Sequence, residues 1–566
     1  MGPGAMDPIL HAFLLCLLTS LSAVSTLSTL PQTCLCEVMN STATQDSHED
    51  GLHLQVEVDG RSVMATTDTT YLCATLDWYP QDRCNYGSCS WDHASILYID
   101  LSNSLLEKSL VALSPLRLRL GGTVQDQIVY DTKLGSLAQP CLPLVKDDSF
   151  ISDYRGGCLS MERWIALTNL FARTGTLPAF GLNALYNRNR SADGVWGPWD
   201  PSNAHDFIKF TVDHGIFVEA WELGNELTMN HVVTSIPAKQ YAQDVKQLRS
   251  IITTLYKGHS QQPLLVAPDS TGNVAGNEYD WYITFLNESG PGVLDGISRH
   301  IYNLGPGNSL DLVEKILNYT ILDNDLDNYR AVQRLIQTYG PWATAWVGEA
   351  GGAYNSGKNL VSNAFVNSFW YLDQLGLAAT FNTKAYCRQT LIGGNYGLLN
   401  STTFRPNPDL YSAILWKRLM GRIVLATKLK DAYPQLRSYT HCQAGSKTGG
   451  LTVLLINLSN ATLSVVVDIK SPFVGEPVSS KNKMSGLIPN KSKVTLRHEY
   501  HLSASNGDPH SQTSLLNGTP LELTPLGDLP NLDPVVTENI SPVSIRAFSI
   551  AFVALPDAQV PVCIYT

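Results

Sequence analysis

Eight short apolar runs limit the folds open to this chain more than any other feature. They are LCATLDW (72–78), LRLRLGG (116–122), LPAFGLNAL (177–185), VEAWELGNE (218–226), PLLVAPDS (263–270), GISRHIY (296–302), TAWVGEAG (344–351) and AATFNTKAYCRQ (378–389). Stretches of helical periodicity lie between most of them. In 237–257, Tyr241, Val245, Leu248, Ile252 and Leu255 recur at intervals of three and four and form one apolar stripe. Ser235 is placed to cap that helix, Pro237 suits its first turn and Gly258 ends it. Residues 160–174 and 359–375 read the same way. Eight strands alternating with helices over about 350 residues predict an α/β fold, a closed (β/α)8 TIM barrel. An open doubly wound sheet would require a phosphate loop. Gly290, Gly292 and Gly296 miss that loop's spacing by one position and follow a helical stretch.

After Gly421 the rhythm changes. LTVLLINLS (451–459), LSVVVDI (463–469), KVTLRHEY (493–500) and VSIRAFSIAFVAL (543–555) are strand-like runs separated by Pro, Gly and Ser, with no helical period between them. They predict a C-terminal all-β sandwich. LHLQVEV (52–58), near the start, alternates as a half-buried strand. The expected layout is a signal peptide at 1–25, a flexible segment at 26–50, a strand region at 51–66, the barrel at 67–425 and the sandwich at 426–566.

Residues 9–24, ILHAFLLCLLTSLSAV, are too short and too polar for a membrane span and are followed by small residues, the pattern of a secretory signal. Cys16 would leave with it, and ten of the eleven cysteines would remain, an even number that suits a disulfide-bearing secreted chain. Cys34-x-Cys36 and Cys84-x4-Cys89 have no matched Cys or His pair, so no metal is expected. Glycosylation sequons begin at Asn40, Asn189, Asn287, Asn318, Asn400, Asn457, Asn460, Asn490, Asn517 and Asn539. The net charge of −11 argues against nucleic acid and anionic membranes as partners.

The active end of such a barrel is the C-terminal rim of its strands. The sequence places there Asp77, Arg119, Asn183, Asn225-Glu226, Asp269, His300 with Tyr302, Glu349, and Asn395-Tyr396. Strands four and seven lie across the mouth from each other, so Glu226 and Glu349 can face one ligand. Paired carboxyls about 5 Å apart suit retaining glycoside hydrolysis, whereas inversion needs roughly 6.5–9.5 Å. A single strand-end Glu is more often a solvated or salt-bridged residue; the pair, with Asn225 beside it, favours catalysis. Glu222 lies deeper, and an ion pair with Arg119 or Arg117 is its preferred reading. His300 is a core histidine or a site residue; Asp77 caps a loop or binds sugar. Trp78, Trp91 and Trp221 stack on sugars or pack in the core. Cys73 and Cys387 fall on neighbouring strands and either pair or remain inert thiols.

WELGNE (221–226), LRLRLGGTVQD (116–126), FGLNAL (180–185), WVGEAGGAY (346–354) and GGNYGLL (393–399), in this order, resemble the heparanase-like β-glucuronidases of glycoside hydrolase family 79, its plant members most of all. The resemblance runs from about residue 52 to Cys563. It implies Glu226 as acid/base and Glu349 as nucleophile. Asp77, Asn225, His300, Tyr302 and Tyr396 match substrate-lining positions. Tyr354 and the backbone amides after it, at Asn355 and Ser356, would hold the glucuronate carboxylate. The all-β domain would take in strand 52–58, and Cys442 would pair with Cys563. The basic heparin-binding run of the animal enzyme is absent; LVKDDSFISDYRGG (144–157) stands there instead.

The expectation is thus a secreted retaining β-glucuronidase, monomeric and without cofactor, acting on a glucuronate-containing carbohydrate or a small glucuronide. Its expected address is the cell wall, with a vacuole or lysosome-like compartment, possibly peripheral on its membrane, as the alternative. The competing readings are a catalytically inactive carbohydrate-binding protein of the same fold and a barrel glycosidase for another sugar.

Overall fold

The computed structural model describes residues 52–133, 142–149, 152–191, 196–228, 234–471 and 495–564. The expected signal segment, Asn40 and Asn490 lie outside them. Strand β1 (Leu52–Asp59) comes first and belongs to the second domain. Eight parallel strands then close a barrel: β2 (Leu72–Asp77), β3 (Leu116–Gly121), β4 (Thr176–Leu182), β5 (Ala220–Leu223), β6 (Leu264–Ser270), β7 (Gly296–Ile301), β8 (Thr344–Ala350) and β9 (Ala385–Arg388). Helices α1 (Ser104–Ala112), α2 (Met161–Thr174), α3 (Ser202–Asp213), α4 (Ala238–Leu255), α5 (Tyr279–Ser289), α6 (Leu326–Tyr339), α7 (Asn367–Thr380) and α8 (Pro408–Leu419) follow the eight strands in turn.

Local chemistry explains these elements. Ser160 caps α2 by accepting from the Arg163 amide, and Gly175 ends it in the left-handed conformation. Met161, Trp164, Leu167 and Phe171 are its buried stripe. The strand β3 sequence LRLRLG is buried at every position. Its period of two sends Leu116, Leu118 and Leu120 outward to the helices and Arg117 and Arg119 into the barrel. Arg117 pairs with Glu219 at 2.7 Å and lies 4.0 Å over the Trp346 ring, filling the lower barrel. One layer up, Arg119 meets Glu222 at 3.0 Å. The ion pair expected for Glu222 is thus with Arg119: its alternate neighbours Trp221 and Leu223 pack in the main core, and Glu222 faces the interior guanidinium.

The second domain is a mixed sheet of 12 strands folded on itself. Its main strands are β1, β10 (Met420–Leu429), β11 (Leu436–Gln443), β12 (Leu451–Asn457), β13 (Leu463–Lys470), β14 (Leu496–Ala504), β15 (Val543–Ile545) and β16 (Ser549–Leu555). The N-terminal strand β1 inserts between β10, antiparallel with Val56 opposite Leu429, and β13, parallel with Leu52 opposite Leu463. Val453, Leu455, Ala551 and Val553 form the sandwich core with Val56 and Val465. The opposite faces of the same strands, through Leu454, Ile456, Ile550 and Phe552, join the barrel's core. Arg437 and Tyr439 of β11 reach Asp373 of α7 at 2.8 and 2.6 Å. Disulfides join Cys73–Cys387, Cys84–Cys89 and Cys442–Cys563; the first resolves the open reading of Cys73 and Cys387, and the last is the pairing that the resemblance implied.

Several boundaries differ from expectation. Residues 378–380 complete α7, so β9 is only Ala385–Arg388. That helix starts at Asn367 rather than 359, because the amides of Phe365 and Val366 bond to the carbonyls of Ser511 and Pro509. Pro237, not Ser235, stands at the N-cap of α4, and no side-chain cap bond forms. The run 543–555 breaks into β15 and β16 on either side of Phe548, whose φ is 46°. Strands β10 and β11 were not foreseen.

Asn189, Asn287, Asn318, Asn460 and Asn539 are exposed, while Asn400 and Asn517 are half-buried. Asn457 is a correction: it is fully buried, and its Nδ2 donates to the carbonyls of Ala461 and Arg546, both at 2.8 Å, which leaves no room for a glycan.

Candidate active site

The site is built on Arg119, which has no exposed surface. A buried guanidinium needs partners on every face. Arg119 Nε donates to Glu222 (3.0 Å), Nη1 to Glu349 (2.9 Å) and Nη2 to Asn225 Oδ1 (2.7 Å), and Arg119 also pairs with Asp269. Burial opposes its charge, but Asp269, Glu222 and Glu349 outweigh burial and hold its pKa above the ordinary value. Asp269 is treated likewise: burial would raise it, and the charges of Arg119 and His300 bring it below the usual carboxylate range.

His300 is the second bridge. Its Nε2 lies 3.0 Å from Asp269, and its Nδ1 lies 2.7 Å from Glu226 Oε1 and 3.9 Å from Glu349 Oε2. Burial works against the imidazolium, yet Asp269 and Glu349 raise its pKa well above 6.5. Both ring nitrogens are then donors. Because one nitrogen neighbours both glutamates, their two oxygens are no farther apart than those distances laid end to end. That bound falls at the lower edge of the roughly 6.5–9.5 Å inverting range. Glu349 also accepts from Tyr302 Oη, so each of its oxygens has a fixed donor.

Backbone conformation places Glu226. It stands past the end of β5, with φ 56°, after Gly224 at φ 71°. These left-handed residues swing the carboxylate off the barrel wall, a strain held by the Glu226 amide donating to the Asp269 carbonyl at 2.8 Å. Asp77 ends β2 and accepts from Gln389 Nε2 at 2.8 Å. Its carboxylate closes over Gly122, where any side chain would collide with it.

Asp77, Glu226, His300, Tyr302, Glu349 and Tyr396 line one cavity of about 830 Å³, as do Tyr354, Asn355 and Ser356. Asn225 stands behind the wall: it is 1 % exposed, its side-chain oxygen is held by Arg119, and its amide donates to Asp126. Asn183 is not a site residue, because its side chain bonds the Leu185 and Tyr186 amides and the Ile128 carbonyl. Trp78 and Trp221 are core residues, whereas Trp91 backs the cavity and donates to Ser356 Oγ at 2.8 Å. Among the described residues no cluster of three His, Cys, Asp or Glu side chains is arranged to hold a metal ion.

The loop after β8 carries a second feature. Asn355, Ser356 and Gly357 have φ of 57°, 70° and 64° in succession. Their three N–H groups bond to no acceptor among the described residues. Unpaired successive amides of this kind form an anion-binding concavity. Sequence reasoning missed Gln389, Arg83 and a group of asparagines on the far rim, Asn273, Asn303, Asn324 and Asn328. Gln389 directly follows the β9 run, at the strand-end position that signalled the other site residues.

The titrations imply a stability profile. Asp77 is pushed up to about 8 by burial and the Glu349 charge, and Glu222 to about 7 by burial and Asp269. Burial brings Asp126 to about 7 despite amide donors from Ala184 and Asn225. Between about pH 4 and these values the folded chain holds protons that the unfolded chain has released, so stability falls as pH rises. His300, with its raised folded pKa, acts in the same direction above about pH 6.5. The apparent Tm is expected to be higher at pH 5 than at pH 8, and Asp77→Asn to flatten that slope. Thermal scans across pH check this; a Tm that climbs from pH 5 to pH 8 contradicts it.

Comparison with known proteins agrees with this architecture. A model of the glycosyl hydrolase family 79 N-terminal domain matches residues 53–376. The chain is 46% identical over 536 residues to heparanase-like protein 3 of Arabidopsis thaliana, covering 94% of this chain and 97% of that one. It is 36% identical to baicalin-beta-D-glucuronidase of Scutellaria baicalensis, covering 87% and 90%. A solved 4-O-alpha-L-rhamnosyl-beta-D-glucuronidase from Fusarium oxysporum shares the fold, with TM-score 0.59 at 13% identity over 89% of this chain and 100% of that one. A barrel with two glutamates on one cavity and a match across most of its length identify this chain as a glycoside hydrolase, a member of glycosyl hydrolase family 79.

Proposed function

We propose that this chain is a retaining β-glucuronidase, with Glu349 as nucleophile and Glu226 as acid/base. The observation that carries the reading is the pair of glutamates meeting at one His300 nitrogen beside three unpaired backbone amides. The amides of 355–357, with Tyr354, receive the glucuronate carboxylate. Glu349 attacks the anomeric carbon while Glu226 donates its proton to the departing oxygen. Water, deprotonated by Glu226, then releases glucuronate from Glu349. Arg119 and Tyr302 aim the nucleophile, His300 aims the acid/base, and Asn225 anchors Arg119.

The far rim favours a neutral leaving group. Its asparagines offer amide donors and acceptors to hydroxyls. Among the described residues the one arginine on the cavity wall, Arg83, is paired with Asp153 at 2.8 Å and lies over Tyr79. A sulfated polymer would find little free cation there. A glucuronate-terminated neutral glycan or a small glucuronide suits it better. The apolar stretch at 9–24, the exposed sequons and the disulfides among the described residues support a secreted, glycosylated chain. A mobility shift on enzymatic deglycosylation of the natural protein tests that.

The function test pairs wild type with Glu226→Ala on two aryl glucuronides. The variant is expected to lose about 10³-fold in kcat/KM on 4-methoxyphenyl glucuronide, a poor leaving group, and far less on the 2,4-dinitrophenyl glucuronide, whose departure needs no proton. Equal losses on both would contradict the assignment. A wild type that binds glucuronides without cleaving them would make this a binding protein.

A further inference from the structure

The loop after β2 contains a small closed hairpin. Cys84 and Cys89 are joined by a disulfide, and between them Asn85 and Ser88 exchange both backbone hydrogen bonds, at 2.9 and 3.0 Å. The hairpin is short and tethered at both ends, so its side chains project from a fixed frame. Two of them reach the loop after β8. Ser356 Oγ donates to Asn85 Oδ1 at 2.7 Å, and Asn355 Nδ2 donates to Tyr86 Oη at 3.0 Å. From just beyond the hairpin, Trp91 Nε1 donates to the same Ser356 Oγ. Asn395 holds the other side, its amide donating to the Ser356 carbonyl at 2.7 Å.

These contacts fall on the residues that most need them. Asn355 and Ser356 lie at φ 57° and 70°, a region that asparagine tolerates but that serine enters seldom and only when its surroundings hold it there. They also carry two of the three unpaired amides. Without the hairpin's hydrogen bonds, only Trp91 among the described residues still holds a side chain of this pair from that flank, and relaxation of the loop to negative φ would turn the amides out of the cavity.

We infer that the Cys84–Cys89 hairpin is a positioning device for the 355–357 amides. Through Asn85 and Tyr86 it sets the preference for a sugar bearing a carboxylate over its neutral counterpart. The inference rests on the glucuronidase reading above. Both act through the loop that they hold, Asn85 from the cavity wall and Tyr86 from outside it.

The test measures kcat and KM on 4-nitrophenyl β-glucuronide and 4-nitrophenyl β-glucoside for wild type, Asn85→Ala, Tyr86→Phe and the double variant Cys84→Ser/Cys89→Ser. Each change is expected to lower the glucuronide-to-glucoside ratio of kcat/KM by roughly tenfold, the weight of one hydrogen bond, through KM rather than kcat. Tyr86→Phe keeps the ring and gives a readable result even if the others fail to fold. Variants that retain the wild-type ratio overturn the inference. Equal losses on both substrates also overturn it, since they mark general loosening. A wild type without preference for the glucuronide overturns the glucuronidase reading itself, and the inference with it.

Discussion

Glu349→Ala is expected to lower kcat on an aryl β-glucuronide by about 10⁴-fold or more, the scale seen when a covalent nucleophile is removed. The fold should survive, because Glu349 is at the cavity wall and its deletion leaves Arg119 with Glu222 and Asp269. Azide, small enough to enter the vacated space, should restore turnover and yield the α-glucuronosyl azide by a single displacement. The same anion added to Glu226→Ala should give the β-azide, since the intermediate on Glu349 still forms. The two products, separated by NMR, therefore assign each glutamate its role without reference to rates. If Glu349→Ala gives the β-azide, the assignments are reversed.

The second large effect concerns stability. Arg119→Leu removes the cation shared by Glu222, Asp269 and Glu349 and leaves three carboxyls facing one another in the barrel. Breaking a buried pair by removing one partner costs about 3–5 kcal/mol, and denaturant titration of the variant should show a loss of that order near pH 7. The stranded carboxyls can relieve the repulsion by taking up protons, so the loss should be smaller near pH 4.5. A destabilisation independent of pH would mean that Arg119 acts only as packing. Activity should fall with stability, because Glu349 loses one of its two donors and Asn225 its anchor.

Much of this was legible in the sequence for specific reasons. The period of two in LRLRL puts arginine inside and leucine outside, and the same period in AWEL turns Glu222 toward that arginine. Polar residues ending apolar runs marked Asp77, Glu226, His300 and Glu349, because the barrel's rim is where strands stop being covered. Other features were hidden because they depend on loop conformation. No local pattern announces that Asn355 and Ser356 take positive φ, or that a hairpin some 270 residues earlier supports them, with 269 and 271 positions separating the bonded pairs. Asn225 was placed on the cavity wall because it adjoins Glu226. The turn at Gly224 instead sends its side-chain oxygen to Arg119 and Glu226 to the mouth. In the eighth unit, an alanine-rich run that suits helix and strand alike blurred the point where α7 ends and β9 begins.

In the proposed reaction Glu349 becomes covalently bonded to the sugar while Glu226 serves it from the same cavity. An activated 2-deoxy-2-fluoro-glucuronide slows the second step more than the first, and peptide mapping of the inactivated enzyme then finds where the sugar is attached. A stoichiometric adduct is expected on the peptide containing Glu349 and none on that containing Glu226. An adduct on another residue, or turnover with inversion and no adduct at all, would contradict it.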